Sequence, residues 1–257
     1  MIASWLARHD VLTTAQLAQA FFRSPSTAAH RLGELQQLHW INRFHRPKPG
    51  GGFTAWHWVI GTLGAHWHAA AVGQHPPTPA ALRRRWAQLA ASPVLNHRLG
   101  SHQFFLDLHA PLDATTAIPA PTGLLAWWLS ANESAETFLR RVHPDGTGRY
   151  GAVRFFLEHD TGSESLRDVA LKLRAYEALR ADGGPGWPIL FHLPSRSRED
   201  NLHRALDKVR FTVPVATAVH GDPPTGPVWR LAGHDTGLYL TQLPCQPATN
   251  NLYGGQL

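Results

Sequence analysis

The chain has 257 residues, 43% apolar and 16% charged, with ten tryptophans and eleven phenylalanines. That content excludes a mostly disordered chain, and the lack of any run of about eighteen uninterrupted apolar residues excludes a membrane-spanning helix. The single Cys245 excludes an intramolecular disulfide framework, and Met1–Asp10 carries neither a basic leader nor a long apolar stretch, so a cytoplasmic location is expected.

The net charge of +6 is unevenly placed. Residues 1–92 hold nine Lys/Arg against Asp10 and Glu34, a net of +7, and the remainder sums to −1. A bias toward arginine (21 Arg, three Lys) explains the Arg/Lys ratio but not the scarcity of acids before residue 92. One part of the chain suits a polyanion and the other does something else.

In the N-terminal third, Thr13 and Gln16 have capping-box spacing and Leu17 and Phe21 follow at i, i+4, which predicts a helix over 14–22. Ser24 and Pro25 form a second start signal, and Ala28, Leu32, Leu35 and Leu38 give the next helix its apolar stripe. Ser26, Thr27, His30 and Arg31 lie on its other faces. A strand over 40–46, a Pro/Gly loop over 47–52 and a returning strand over 53–59 complete a hairpin. Helix, helix and basic hairpin is the order of a winged helix-turn-helix, whose second helix enters the major groove while the wing follows the backbone. Arg31, Arg43, Arg46 and Lys48 stand where phosphate contacts are wanted. The bland alternatives are a protein-docking module and, for His30 or Arg31 singly, a solvated helix face.

Gly73 to Pro79 breaks regular structure, and Arg83 to Trp86 opens an amphipathic segment. The expected division is a winged helix over 1–75, a linker over 76–93, a second domain over 94–215 and a Pro/Gly-rich extension over 216–257. Residues 95–108 read as the second domain's first helix. His66 and His68 are spaced to share one side of a strand and read as structural; no H-E-x-x-H or C-x-x-C pattern supports zinc.

Residues 124–212 alternate strands and helices: strands over 124–129, near 142–146, over 150–160 and 187–193, helices over 164–180 and 198–209. The result is an α+β chain, a winged helix followed by an α/β domain with a mixed central sheet. Glu158 and Asp160 are two apart on a strand and leave the same face, with Asp145 on the preceding strand. Three converging carboxylates repel one another unless a hard cation such as Mg²⁺ or Mn²⁺ sits between them. Lys172, on the rim of the following helix, can lean toward the sheet, and Tyr176 one turn on is a secondary candidate as a phosphate donor. The alternatives are a turn role for Asp145, a salt-bridged remnant of Glu158 and Asp160 facing Lys172, and a plain capping turn at Thr161 to Glu164.

Pro144-Asp145-Gly146, then Leu157 to Leu166, then Lys172 to Tyr176 resemble the replication-relaxation family of plasmids and integrative elements, over about residues 10–210. The resemblance implies a PD-(D/E)xK nuclease-like domain, with Asp145 as the PD aspartate and Glu158 as the first acid of the D/E-x-K element. Asp160 stands where that fold's lysine normally does, so Lys172 would supply the charge from the next helix. Glu133 or Asp107 would replace an acid that the fold's first helix often gives. The implied function is a DNA-binding protein, a metal-dependent nicking or cleaving enzyme related to relaxases, with double-stranded DNA, a second copy or plasmid replication and transfer proteins as partners. The alternative is a non-catalytic replication or transcription factor on a degenerate nuclease fold. From His220 on, strands are expected at 228–231 and 238–240, and a disordered or loose strap beyond 244.

Overall fold

The computed structural model describes residues 1–109, 125–162, 165–234 and 236–253. They form two compact units, Met1–Leu106 and a second made of Asp107–His109 with the chain from residue 125 onward.

The first unit runs α1 (Ile2–His9), β1 (Leu12–Thr13), α2 (Thr14–Phe21), α3 (Pro25–Gln37), β2 (Ile41–Phe44), β3 (His57–Ile60), α4 (Thr62–Ala71) and α5 (Pro79–Ala91), followed by α6 (Leu95–Leu108). The capping box at Thr13 and Gln16 is formed, and the Ser24 hydroxyl accepts the Thr27 amide to start α3 at Pro25. A three-stranded antiparallel sheet in the order β1-β3-β2 closes the winged-helix arrangement over Leu6, Leu17, Leu32, Ile41 and Trp58. Three elements of this unit, α1, β1 and α4, were not predicted. α1 buries Ala3, Leu6 and His9 at helical spacing without a side-chain cap, and β1 is a two-residue strand that only pairing with β3 creates. His66 and His68 lie on helix α4, not a strand, because the apolar positions around them, Ala65 and Ala69, recur every four residues.

The segment expected as an interdomain linker belongs to the first unit. Thr78 caps α5 with Pro79 in its first turn, and Leu82 and Leu89 enter this unit's apolar clusters. Gln16 Nε2 donates to the Leu99 carbonyl at 2.8 Å and Gln19 Nε2 to that of Leu106 at 3.1 Å. The helix predicted to open the second domain is therefore bound into the first as far as Leu106. The Pro-rich break at 73–79 is a loop between helices of one unit.

The second unit contains β4 (Leu125–Ser130), α7 (Ala131–Thr137), β5 (Gly146–Tyr150), β6 (Val153–His159), α8 (Leu166–Ala181), β7 (Ile189–Leu193), α9 (Arg196–Leu206), β8 (Val215–Val219), β9 (Trp229–Leu231) and β10 (Gly237–Leu238). They form a mixed seven-stranded sheet in the order β10-β9-β8-β7-β6-β5-β4. β6, β7 and β8 are mutually parallel neighbours, and the flanking pairings are antiparallel. Phe156, Ile189, Phe191 and Val215 point to one face, where Tyr176 and Leu179 of α8 and Leu202 of α9 cover them. Burial of each large apolar side chain contributes about 1.5–3 kcal/mol.

The expected extension from 216 supplies most of β8 and all of β9 and β10, so the sheet's centre extends into it. Residues 245–253 are a packed strap: Gln246 and Gly186 exchange backbone bonds at 3.0 and 3.1 Å, Thr249 and Asn250 donate to the Gly183 carbonyl, and Tyr253 is buried in the core. Gly183 allows this with φ +80° and an Asn250 neighbour 2.9 Å from where a Cβ would stand. Ser165 and Asp168 form the capping box of α8, the role expected of Thr161 or Ser163 and Glu164; Ser163 and Glu164, like Leu124 of the first predicted strand, lie outside the described residues. Glu133 caps α7 with Ser130, which ties its carboxylate to that helix start.

Candidate functional site

Two regions carry chemistry, and each lies within one unit. In the first, Ser26, Thr27, His30 and Arg31 are exposed along α3, which has the position of a recognition helix. Arg31 pairs with Glu34 at 2.7 Å and His30 with the same carboxylate at 3.2 Å, and the Arg31 contact holds Glu34 below the usual carboxylate range. The β2–β3 hairpin extends beyond the strands: Arg46 N–H donates to Thr54 Oγ1, Thr54 N–H to the Arg46 carbonyl and Lys48 N–H to that of Gly52. Gly50, Gly51 and Gly52 turn its tip at φ +89°, +102° and +77°, a region that disfavours a Cβ at each. Arg43 stacks over Trp56 at 4.1 Å and His45 lies flat against Phe53 and Trp56, so the wing is stiffened by rings and carries Arg43, Arg46 and Lys48.

The second region is the C-terminal end of β6. Side chains alternate across a strand, so Phe156, Glu158 and Asp160 point to the helical face and His159 to the other. Glu158 is 2% exposed and accepts from Lys172 Nζ at 2.7 Å and from the Tyr176 hydroxyl at 2.6 Å. Burial, then the charge of Asp145, push its pKa up to about 7 against the opposing pull of Lys172. Burial and the Glu158 charge raise Tyr176 well above the ordinary phenol value. Asp145 precedes β5; its backbone N–H donates to the Leu157 carbonyl and its Oδ2 accepts from His159 N–H at 2.8 Å.

Glu158 thus meets Lys172, the contact that both the catalytic reading and the salt-bridged alternative expected, and the Asp145 charge acts on Glu158. Asp160 does not join them: its Oδ2 accepts from Arg198 of α9 at 2.6–2.7 Å and its Oδ1 from Gly162 N–H at 2.6 Å. Arg198 neutralises it, which removes the repulsion that a three-carboxylate site was expected to relieve with a cation. Tyr176 is 3% exposed and faces Glu158, so it orients that carboxylate instead of reaching a phosphate.

On the opposite face, His159, His192 and His220 each offer a ring nitrogen, all within 4.8 Å of one another, a cluster able to coordinate a divalent metal ion. His159 stacks on His220 at 4.5 Å, and His220 Nε2 donates to the His192 carbonyl at 3.0 Å. Burial, then the neighbouring His220, lower His192 to about 3. Sequence reasoning missed this group. His159 and His192 each lie one residue before the end of a predicted strand, but nothing near them in sequence shows that those ends and His220 are adjacent.

A winged helix followed by a mixed α/β domain of PD-(D/E)xK-like architecture is the class these elements define. More particularly, the chain belongs to the replication-relaxation family, whose model, described as Replication-relaxation, matches residues 4–189. Comparisons with curated proteins and with solved structures returned no significant match. Among the described residues no helix is long and apolar enough to cross a membrane. Family membership and the imidazole cluster support a DNA-binding protein able to use a metal.

Proposed function

We propose that the protein binds double-stranded DNA of a plasmid or mobile element in the cytoplasm through its winged helix and nicks or cleaves it in replication or transfer, alone, as a homodimer or with plasmid replication and transfer proteins. The observation that carries this reading is the buried Glu158, paired with Lys172 and raised by the charge of Asp145, at the end of β6 in a chain of this family. A buried acid raised by the charge of a second acid, beside one amine, matches the parts of a phosphodiester-cleaving site.

Mg²⁺ or Mn²⁺ held by Asp145 and Glu158 would polarise the phosphodiester and activate a water. Both residues give the hard oxygen donors those ions take. Lys172, at 29% side-chain exposure, can place its charge on the phosphate as negative charge develops there. Tyr176 holds Glu158 in place, and Asp160, tied to Arg198, fixes the strand end instead of adding a third oxygen. On DNA, Ser26, Thr27, His30 and Arg31 face the groove while Arg43, Arg46 and Lys48 follow the backbone.

The second reading, a non-catalytic replication or transcription factor, is favoured by one observation: both Glu158 oxygens already accept hydrogen bonds. Incubation of supercoiled origin-bearing plasmid with Mg²⁺ or Mn²⁺ separates the two. The enzyme reading expects open circles or linear DNA from the wild type and loss of cutting in Glu158→Ala and Lys172→Ala. Wild-type protein that retards the DNA on a gel and leaves it intact overturns it.

A further inference from the structure

β6, β7 and β8 are adjacent and parallel, so their C-terminal ends emerge side by side, about 4.8 Å apart. His159 is the register partner of His192, and His220 directly follows Val219, the register partner of Leu193. His220 lies two residues beyond Ala218, the register partner of His192, so the three imidazoles come from the C-terminal ends of three neighbouring strands, with ring nitrogens within 4.8 Å of one another, at the end of the sheet where open α/β folds place their ligands. We propose that His159, His192 and His220 form a transition-metal site of the Zn²⁺ class, separate from the Asp145–Glu158–Lys172 group on the other face.

The donor set decides the class of ion. Imidazole suits Zn²⁺, Co²⁺ or Ni²⁺, whereas Mg²⁺ takes oxygen ligands. Three protein ligands leave a tetrahedral ion one position for water or a substrate atom. The surroundings resemble those that orient metal-bound histidines. His220 Nε2 donates to a backbone carbonyl, which places the proton on that nitrogen and leaves the lone pair on Nδ1. The His159 backbone is held by the Asp145 carboxylate at 2.8 Å. An ion bound here would tie together the ends of three strands, one of which carries Glu158.

The test uses the full chain, stripped with chelator and titrated with Co²⁺ and, separately, Zn²⁺. The expected result is one equivalent of Zn²⁺ per chain by elemental analysis and the visible absorption of a tetrahedral Co²⁺ centre. Zn²⁺ should displace the Co²⁺ signal and millimolar Mg²⁺ should not. His220→Gln, at a half-buried position, should weaken binding on the order of 100-fold, while His66→Gln, at an exposed position of α4, should leave it unchanged. Absence of stoichiometric binding by the wild type overturns the proposal, as does binding that a folded His220→Gln protein retains in full or that Mg²⁺ displaces. None of these readouts depends on DNA cutting, so the site stands or falls apart from the nuclease reading.

Discussion

Salt dependence is the sharpest test of the winged-helix interface. Arg31, Arg43, Arg46 and Lys48 occupy α3 and the wing, and each neutralised phosphate contributes a slope of about −0.9 to log K against log salt. Four contacts give about −3.6, so raising salt from about 50 to 200 mM should weaken binding about 150-fold. Lys48→Ala removes one contact at an exposed wing tip, which should bring the slope to about −2.7 and the loss to about 40-fold. Arg43→Ala should cost the same slope and also loosen the wing, because its guanidinium packs on Trp56. Glu34→Gln should tighten binding, since Glu34 competes with phosphate for Arg31. Fluorescence anisotropy on a labelled duplex across a salt series measures all four proteins. Slopes for Lys48→Ala and Arg43→Ala that match the wild type would refute the assignment of α3 and the wing as the DNA-reading surface.

Other consequences concern stability. His102 is buried against the Val11 carbonyl and burial lowers its pKa to about 4, so the unfolded chain takes up a proton near 6.5 that the folded one refuses. Acidification from pH 7 to 4 should cost about 3 kcal/mol at this residue, and His102→Gln should remove that part of the pH dependence of chemical denaturation; an unchanged dependence would count against it. Arg198→Ala leaves the buried Asp160 carboxylate without its guanidinium and should destabilise by about 3 kcal/mol, with much of that recovered by adding Asp160→Asn; an additive double mutant would show that the pair is not coupled. Gly183→Ala forces a side chain into left-handed backbone against Asn250 and should cost about 1–2 kcal/mol, read as a lower Tm and faster proteolysis of the strap. An unaltered Tm would mean that the strap contributes little.

Most of the winged helix was legible because its signals are local. A hydroxyl at Thr13 or Ser24 and the residues just after it determine where a helix starts, and glycines at the wing tip determine where the chain turns. The Glu158–Lys172 meeting was legible for a similar reason: strand alternation and helix periodicity aim the two at each other over a short connection. What escaped depends on distant partners. β8 reads only as an apolar stretch until β7 and β9 flank it, and the strap over residues 245–253 gains its order from Gly183 and Gly186. Arg198 lies in the first turn of a helix that reaches Asp160 only once β7 has been laid beside β6. The imidazole cluster needs three strands in parallel register, information that no local pattern holds.

The role proposed for Asp145, Glu158 and Lys172 is to cut DNA that the winged helix has located. Its most direct test is the rate at which wild type and Lys172→Met convert supercoiled origin plasmid to open circles with Mn²⁺, at protein concentrations giving equal DNA occupancy. Cutting by the wild type and a loss of at least about 100-fold in the variant are expected, the scale on which removal of one transition-state charge contact is felt. Equal rates at equal occupancy, or no cutting by either protein, would contradict it.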